Sequence, residues 1–108
     1  MTIHKEKTYI KDLKKKIEDK YMLAELKEIE KIETFILSQK NLKELMCHPL
    51  KIVYGIEQKK GNLKDKFTAK INSKLRLIMK PIGEYPYNQI EIEEIQFLDI
   101  DNKHYGEG

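Results

Sequence analysis

The sequence predicts an α+β protein with a helical first half and antiparallel strands after it. Apolar residues recur every three to four positions as far as about residue 46, the period of a helix face. From Leu50 they recur every second position, the period of a half-buried strand. One hairpin in that second half has a single register that gathers its apolar side chains on one face. With 108 residues, the chain is expected to form one domain with a modest core. Its expected division is helical over 5–46, sheet over 50–101 and a short tail over 102–108.

Ile10, Leu13, Ile17, Tyr21 and Ala24 form a first helical stripe, and Met22, Leu26, Ile29, Phe35 and Ile36 a second, rotated one. Two helices packed as a hairpin are expected. No Gly or Pro marks a turn between them, so a single bent helix fits the same pattern. Asn41 followed by Glu44 reads as a capping box that opens a short turn through Met46, which His48-Pro49 then stops. "KIVYGIE" (51–57) is the first strand candidate, and Gly61-Asn62 supplies the next turn. "KFTAKI" (66–71) and "LRLIMK" (75–80) alternate as a hairpin. In the last strand Ile90 and Ile92 share a face, and a bulge at Glu93-Glu94 is expected to shift the phase to Ile95 and Phe97.

Several function classes lose their usual signatures. No apolar run approaches a membrane span, and "MTIHKEKTYIKDLKKK" lacks the apolar centre of a secretory signal, so a cytoplasmic protein without membrane contact is expected. The single Cys47 excludes an internal disulfide, and it reads as a core or loop cysteine in preference to a nucleophile beside His48. His4, His48 and His104 are scattered without metal-ligand spacing. There is neither a glycine-rich phosphate loop nor a Gly-x-Ser-x-Gly elbow, and no cofactor is expected.

Charge is distributed unevenly. Residues 1–50 carry 11 basic and 9 acidic side chains, residues 51–80 carry 9 and 2, and residues 81–108 carry 1 and 7. A strongly cationic middle segment suits a polyanion such as RNA, although lysine richness throughout the chain also fits a merely solvated face.

Position is more informative than number. If Asn72, Ser73 and Lys74 form the hairpin loop, Phe67 meets Met79, Ala69 meets Leu77 and Ile71 meets Leu75, all on one face. A two-residue loop would mix the faces. The opposite face then sets Lys66 across from Lys80, and Lys70 across from Arg76, the only arginine in the chain. Like charges directly opposite each other repel, so such a face asks for an anion. A guanidinium holds two phosphate oxygens at once, which an ammonium cannot, and Arg76 with Lys70 therefore reads as a phosphate clamp. The alternative is a solvated face neutralised by Glu57 or a carboxylate of the acidic C-terminal segment.

"GNLKDKFTAKINSKLRLIMKP" (61–81) resembles the central hairpin of the RelE/ParE superfamily of bacterial toxins, especially its HigB-like killer branch. "CHPLK" (47–51) is similar to that branch's approach to the sheet, and "IEEIQFLDIDNKHY" (92–105) to its last strand. The resemblance covers roughly residues 42–105.

It implies the RelE-like microbial RNase fold, with two helices on a three- to four-stranded antiparallel sheet. It implies a type II toxin that cuts messenger RNA on the ribosome without metal, by attack of a ribose 2′-hydroxyl on the adjacent phosphate. Its partners would be a cognate antitoxin, often a helix-turn-helix protein, and the ribosome with its mRNA. Arg76 and Lys70 match the family's strand cations, and His104 and Tyr105 become the acid–base candidates. Lys64, Lys66, Lys74 and Lys80 are the expected RNA-contacting cations. Asn102 and Lys103 interrupt the family's Asp-Tyr-His ending, and Glu91, Glu93, Glu94, Asp99 and Asp101 make the last strand acidic where RNA cutting wants cations. A non-cleaving relative, gyrase-inhibiting or purely antitoxin-binding, is the competing expectation.

Overall fold

The structure is a computed structural model that describes residues 1–18 and 23–102. Among these residues, five strands and three α-helices follow in the order β1 (Thr2–Lys5), α1 (Lys7–Glu18), α2 (Leu23–Leu37), α3 (Leu42–Cys47), β2 (Glu57–Gln58), β3 (Phe67–Lys70), β4 (Arg76–Pro81) and β5 (Glu94–Asp101). The sheet order is β1-β5-β4-β3-β2. Four strands make the predicted antiparallel meander, and β1 adds a fifth by pairing parallel to β5, with Ile3 beside Ile95. The fold is α+β, as the two periods predict.

The β3–β4 register is the predicted one. Phe67 pairs Met79, Ala69 pairs Leu77 and Lys70 pairs Arg76, while Ile71 N donates to Leu75 O at 3.0 Å. Burial selects it, because Phe67, Ala69, Leu77 and Met79 are all inaccessible to water. The loop is closed by Asn72, whose Oδ1 accepts from Lys74 N and Leu75 N, each at 2.8 Å, a short polar side chain standing in for a backbone turn.

Helices cover that apolar face. Ile29, Ile32, Phe35 and Ile36 of α2 are buried with Tyr9 of α1, whose ring meets the Phe97 ring edge-on at 5.3 Å. The first helix turns a different face inward from the one expected. Tyr9 and Leu13 join the core and Asp12 accepts from Ile100 N at 3.1 Å, whereas Ile10 and Ile17 stay exposed. A register that caps a backbone N–H of β5 outweighs two aliphatic side chains at the rim. Tyr21 and Met22, and the turn they bear on, lie outside the described residues.

Helix α3 starts as predicted: Asn41 Oδ1 accepts from Glu44 N at 2.9 Å. The return arm of the box lands one residue early, with Glu44 Oε1 accepting from Lys40 N at 3.1 Å. Cys47, its last residue, is exposed. His48 Nδ1 accepts from Leu50 N at 3.0 Å and its ring stands edge-on to Phe35, so it caps a turn and does not activate Cys47.

Two strand expectations are corrected. Most of "KIVYGIE" is not a strand: Pro49–Ile52 is a 3-10 turn, and only Glu57 of that stretch reaches β2. Pro49 at the turn's start and the His48 cap favour the coil, and Ile52 is left 79% exposed. The bulge in the last strand falls between the partners of Ile78 and Met79, not at Glu93-Glu94. Ile90 is accordingly exposed in a turn, while Ile92 is buried.

Candidate nucleic-acid interface

The face of the sheet turned away from the helices carries three rows of side chains. Lys70, Arg76 and Asp101 form the row nearest the hairpin tip. Glu57, Thr68, Ile78 and Asp99 form the second. The third holds Lys59 and Lys66, paired through Lys59 N to Lys66 O at 2.9 Å, and Lys80 beside Gln96. Alternation of side chains along each strand sets these rows about 7 Å apart.

Lys70 is exposed and Arg76 half-buried, adjacent across the ladder. Arg76 Nη1 donates to Asn72 O at 2.7 Å and Leu75 O at 3.2 Å. That side of the guanidinium is anchored over the loop, and its Nε and Nη2 edge is left as a two-pronged donor. Neither Lys70 nor Arg76 has an ion pair among the described residues. Chemically, the pair can hold an anionic tetrahedral group with one forked and one point donor.

The other predicted cations spread along the same hairpin. Lys74 is exposed at its tip. Lys66 and Lys80 share Asp65, at 3.6 and 3.8 Å, so their charge is partly balanced. Glu57, one of the neutralising groups of the alternative reading, pairs instead with Lys59 at 2.9 Å. Lys64 stands with its Nζ 5.1 Å from the centroid of the Tyr85 ring. His104 and Tyr105 lie outside the described residues.

The sequence left open which carboxylates share the face of Arg76: Asp101 stands opposite it in the ladder, and Asp99 one row away. Their Oδ2 and Oδ1 atoms, respectively, are buried without a hydrogen-bond partner. Burial pushes the Asp99 carboxyl above the usual carboxylate range, Asp101 and Asp12 push the same way, and Lys66 opposes them. Because β5 slips by one residue at the bulge, period-two reasoning from Ile95 and Phe97 puts these residues on the wrong face. Folded Asp99 binds its proton more tightly than the unfolded chain does. Stability from this group is therefore fullest at low pH and falls as pH rises through the raised value. Asp99→Asn is expected to be more stable than the parent at neutral pH, with the gap closing towards the ordinary carboxylate range in urea unfolding across pH.

Among the described residues, no three His, Cys, Asp or Glu side chains cluster as a metal site. No helix among them is long and apolar enough to cross a membrane.

Solved structures share this architecture. YafQ from E. coli strain BL21(DE3) matches with a TM-score of 0.61 at 16% identity, over 94% of this chain and 91% of that one. A YoeB/ParE toxin from Agrobacterium tumefaciens matches at 0.60 and 11%, over 94% and 98%. YafQ in the E. coli DinJ-YafQ toxin-antitoxin complex matches at 0.55 and 19%, over 93% and 89%. No protein-family model and no curated protein sequence matches the chain. The fold is that of the RelE/ParE-type toxins, the one the hairpin resemblance implies.

Proposed function

We propose that this protein is the toxin of a type II toxin–antitoxin pair, a single-domain cytoplasmic endoribonuclease that cuts mRNA on the ribosome. The observation that carries this reading is the Lys70–Arg76 pair, side by side on the face of a RelE-like sheet opposite Phe67, Ala69, Leu77 and Met79. One neighbour of this fold was solved with its antitoxin, which supports a protein partner here too. In the proposed reaction the ribose 2′-oxygen bonds to the adjacent phosphorus and the bond from phosphorus to the 5′-oxygen breaks, leaving a cyclic phosphate and a 5′-hydroxyl. A base accepts the 2′ proton and an acid supplies one to the leaving oxygen, roles for which His104 and Tyr105 are the candidates. Arg76 holds the two non-bridging oxygens as charge develops on them, and Lys70 adds a point charge.

A second reading, binding without cleavage, is favoured by one specific feature: Asp99 and Asp101 share the cationic face and oppose a phosphate there. Induced expression in a bacterial host, with primer extension on messages from translating ribosomes, separates the two. The nuclease reading expects growth arrest, relief by the neighbouring small reading frame and new 5′ ends inside translated messages. It also expects His104→Ala to lower cutting more than ribosome binding. Arrest without new ends would establish the binding reading.

A further inference from the structure

At the far end of the hairpin from its tip, Gln58, Lys59, Lys60, Gly61, Lys64 and Tyr85 line an open cleft of about 470 Å³. We propose that this cleft is a subsite for one unpaired nucleotide of a single-stranded RNA lying along the hairpin, with the base on Tyr85 and the phosphate at Lys60 and Lys64. The proposal rests on the RNA-cutting reading and extends it to a position the clamp does not reach.

The lining contains three ammonium groups and no carboxylate. Lys59 is engaged by Glu57, but Lys60 and Lys64 have no ion pair among the described residues. Tyr85 is 43% exposed, although a tyrosine ring gains from burial. Its position is fixed from behind. The ring stands perpendicular to Tyr87 at 5.7 Å, and the Tyr87 hydroxyl donates to Asp65 O at 2.6 Å. Burial and the Asp65 and Tyr85 charges push the Tyr87 hydroxyl up to about 12, so it stays a donor at neutral pH.

Over the Tyr85 ring sits the Lys64 ammonium, a soluble cation on a flexible stem and not packed core. A base can take that place by stacking while the displaced ammonium moves to the accompanying phosphate. Basic groove and aromatic platform together are how proteins hold unpaired strands without reading their sequence. The cleft is also continuous with the cationic face, because Lys59 is paired with Lys66. From Lys66 to Lys70 is about 13 Å along β3, a reach of a nucleotide or two.

The test measures binding of the whole protein to 2′-O-methyl oligoadenylate, which keeps bases and phosphates but lacks the attacking hydroxyl, across a range of salt. Tyr85→Ala is expected to weaken binding roughly tenfold, and Tyr85→Phe, which keeps the ring, to bind within about twofold of the parent. Lys60→Ala is expected to make the logarithmic salt slope shallower by about 0.7. Parent-like binding by Tyr85→Ala and Lys60→Ala would overturn the subsite even if mRNA cutting by the parent is intact. Sensitivity to Tyr85 in a protein that never cuts would keep the subsite and remove the nuclease reading. Unchanged RNA binding with loss of antitoxin binding would assign the cleft to a protein partner and overturn the proposal.

Discussion

Arg76→Lys is expected to lower mRNA cutting by roughly 10²–10³-fold, the usual cost of losing one donor aimed at developing charge, with far less effect on RNA affinity. The charge that attracts RNA over distance is kept, so salt-dependent binding changes little. What disappears is the fork. With Nη1 committed to Asn72 O and Leu75 O, the guanidinium has one fixed orientation, and only its Nε and Nη2 edge can meet two phosphate oxygens together. Lysine brings one mobile point donor and none of the anchoring. Its two lost backbone bonds would also loosen the loop, so unfolding midpoints belong beside the cleavage assay. A rate loss with an unchanged midpoint isolates the chemistry. Lys66→Arg, on the same face but two rows away and beside Asp65, is expected to be nearly silent. If Arg76→Lys cuts as well as the parent, the clamp is not part of the reaction.

The hairpin was legible because one physical constraint decided it. Only one register buries Phe67, Ala69, Leu77 and Met79 together, and that register also sets Lys70 beside Arg76. What remained hidden depends on partners distant in sequence. Strand β1 is a short edge strand with one inward aliphatic, Ile3, and its partner Ile95 lies at the other end of the chain. Alternation over four residues cannot announce such a pairing. The face of α1 was hidden for a similar reason, since Asp12 caps Ile100 N on β5. Asp99 and Asp101 needed the position of a bulge, which a backbone slip decides and composition does not. Lys59-Lys60 and Tyr85 are plain in the sequence as types, but the cleft needs the loop before β5 to fold beside the turn before β3. His104 and Tyr105 rest on the resemblance alone.

Two glycines with nearly the same backbone angle provide the sharpest stability test. Gly55 has φ +60 and Gly61 φ +65, a left-handed conformation that costs a side-chain-bearing residue about 1 kcal/mol or more. Their surroundings differ. A Cβ on Gly61 would meet nothing within 4 Å, whereas one on Gly55 would stand 2.6 Å from Lys70 Cβ and 3.4 Å from Lys70 N. At that point Tyr54 O accepts from Lys70 N at 2.8 Å, holding the end of β3 where β2 no longer pairs with it. Gly61→Ala should therefore cost about 1 kcal/mol, from conformation alone. Gly55→Ala should cost about 3 kcal/mol, because the segment must also leave β3 and give up that hydrogen bond. For a chain of this size the second loss corresponds to a fall of about 10–15 °C in melting temperature. Lys70 loses that backbone tether to Tyr54 O, so Gly55→Ala should also impair cutting below its melting range. Equal melting losses for the two variants would mean that the approach of Gly55 to Lys70 does not hold the clamp's strand in place.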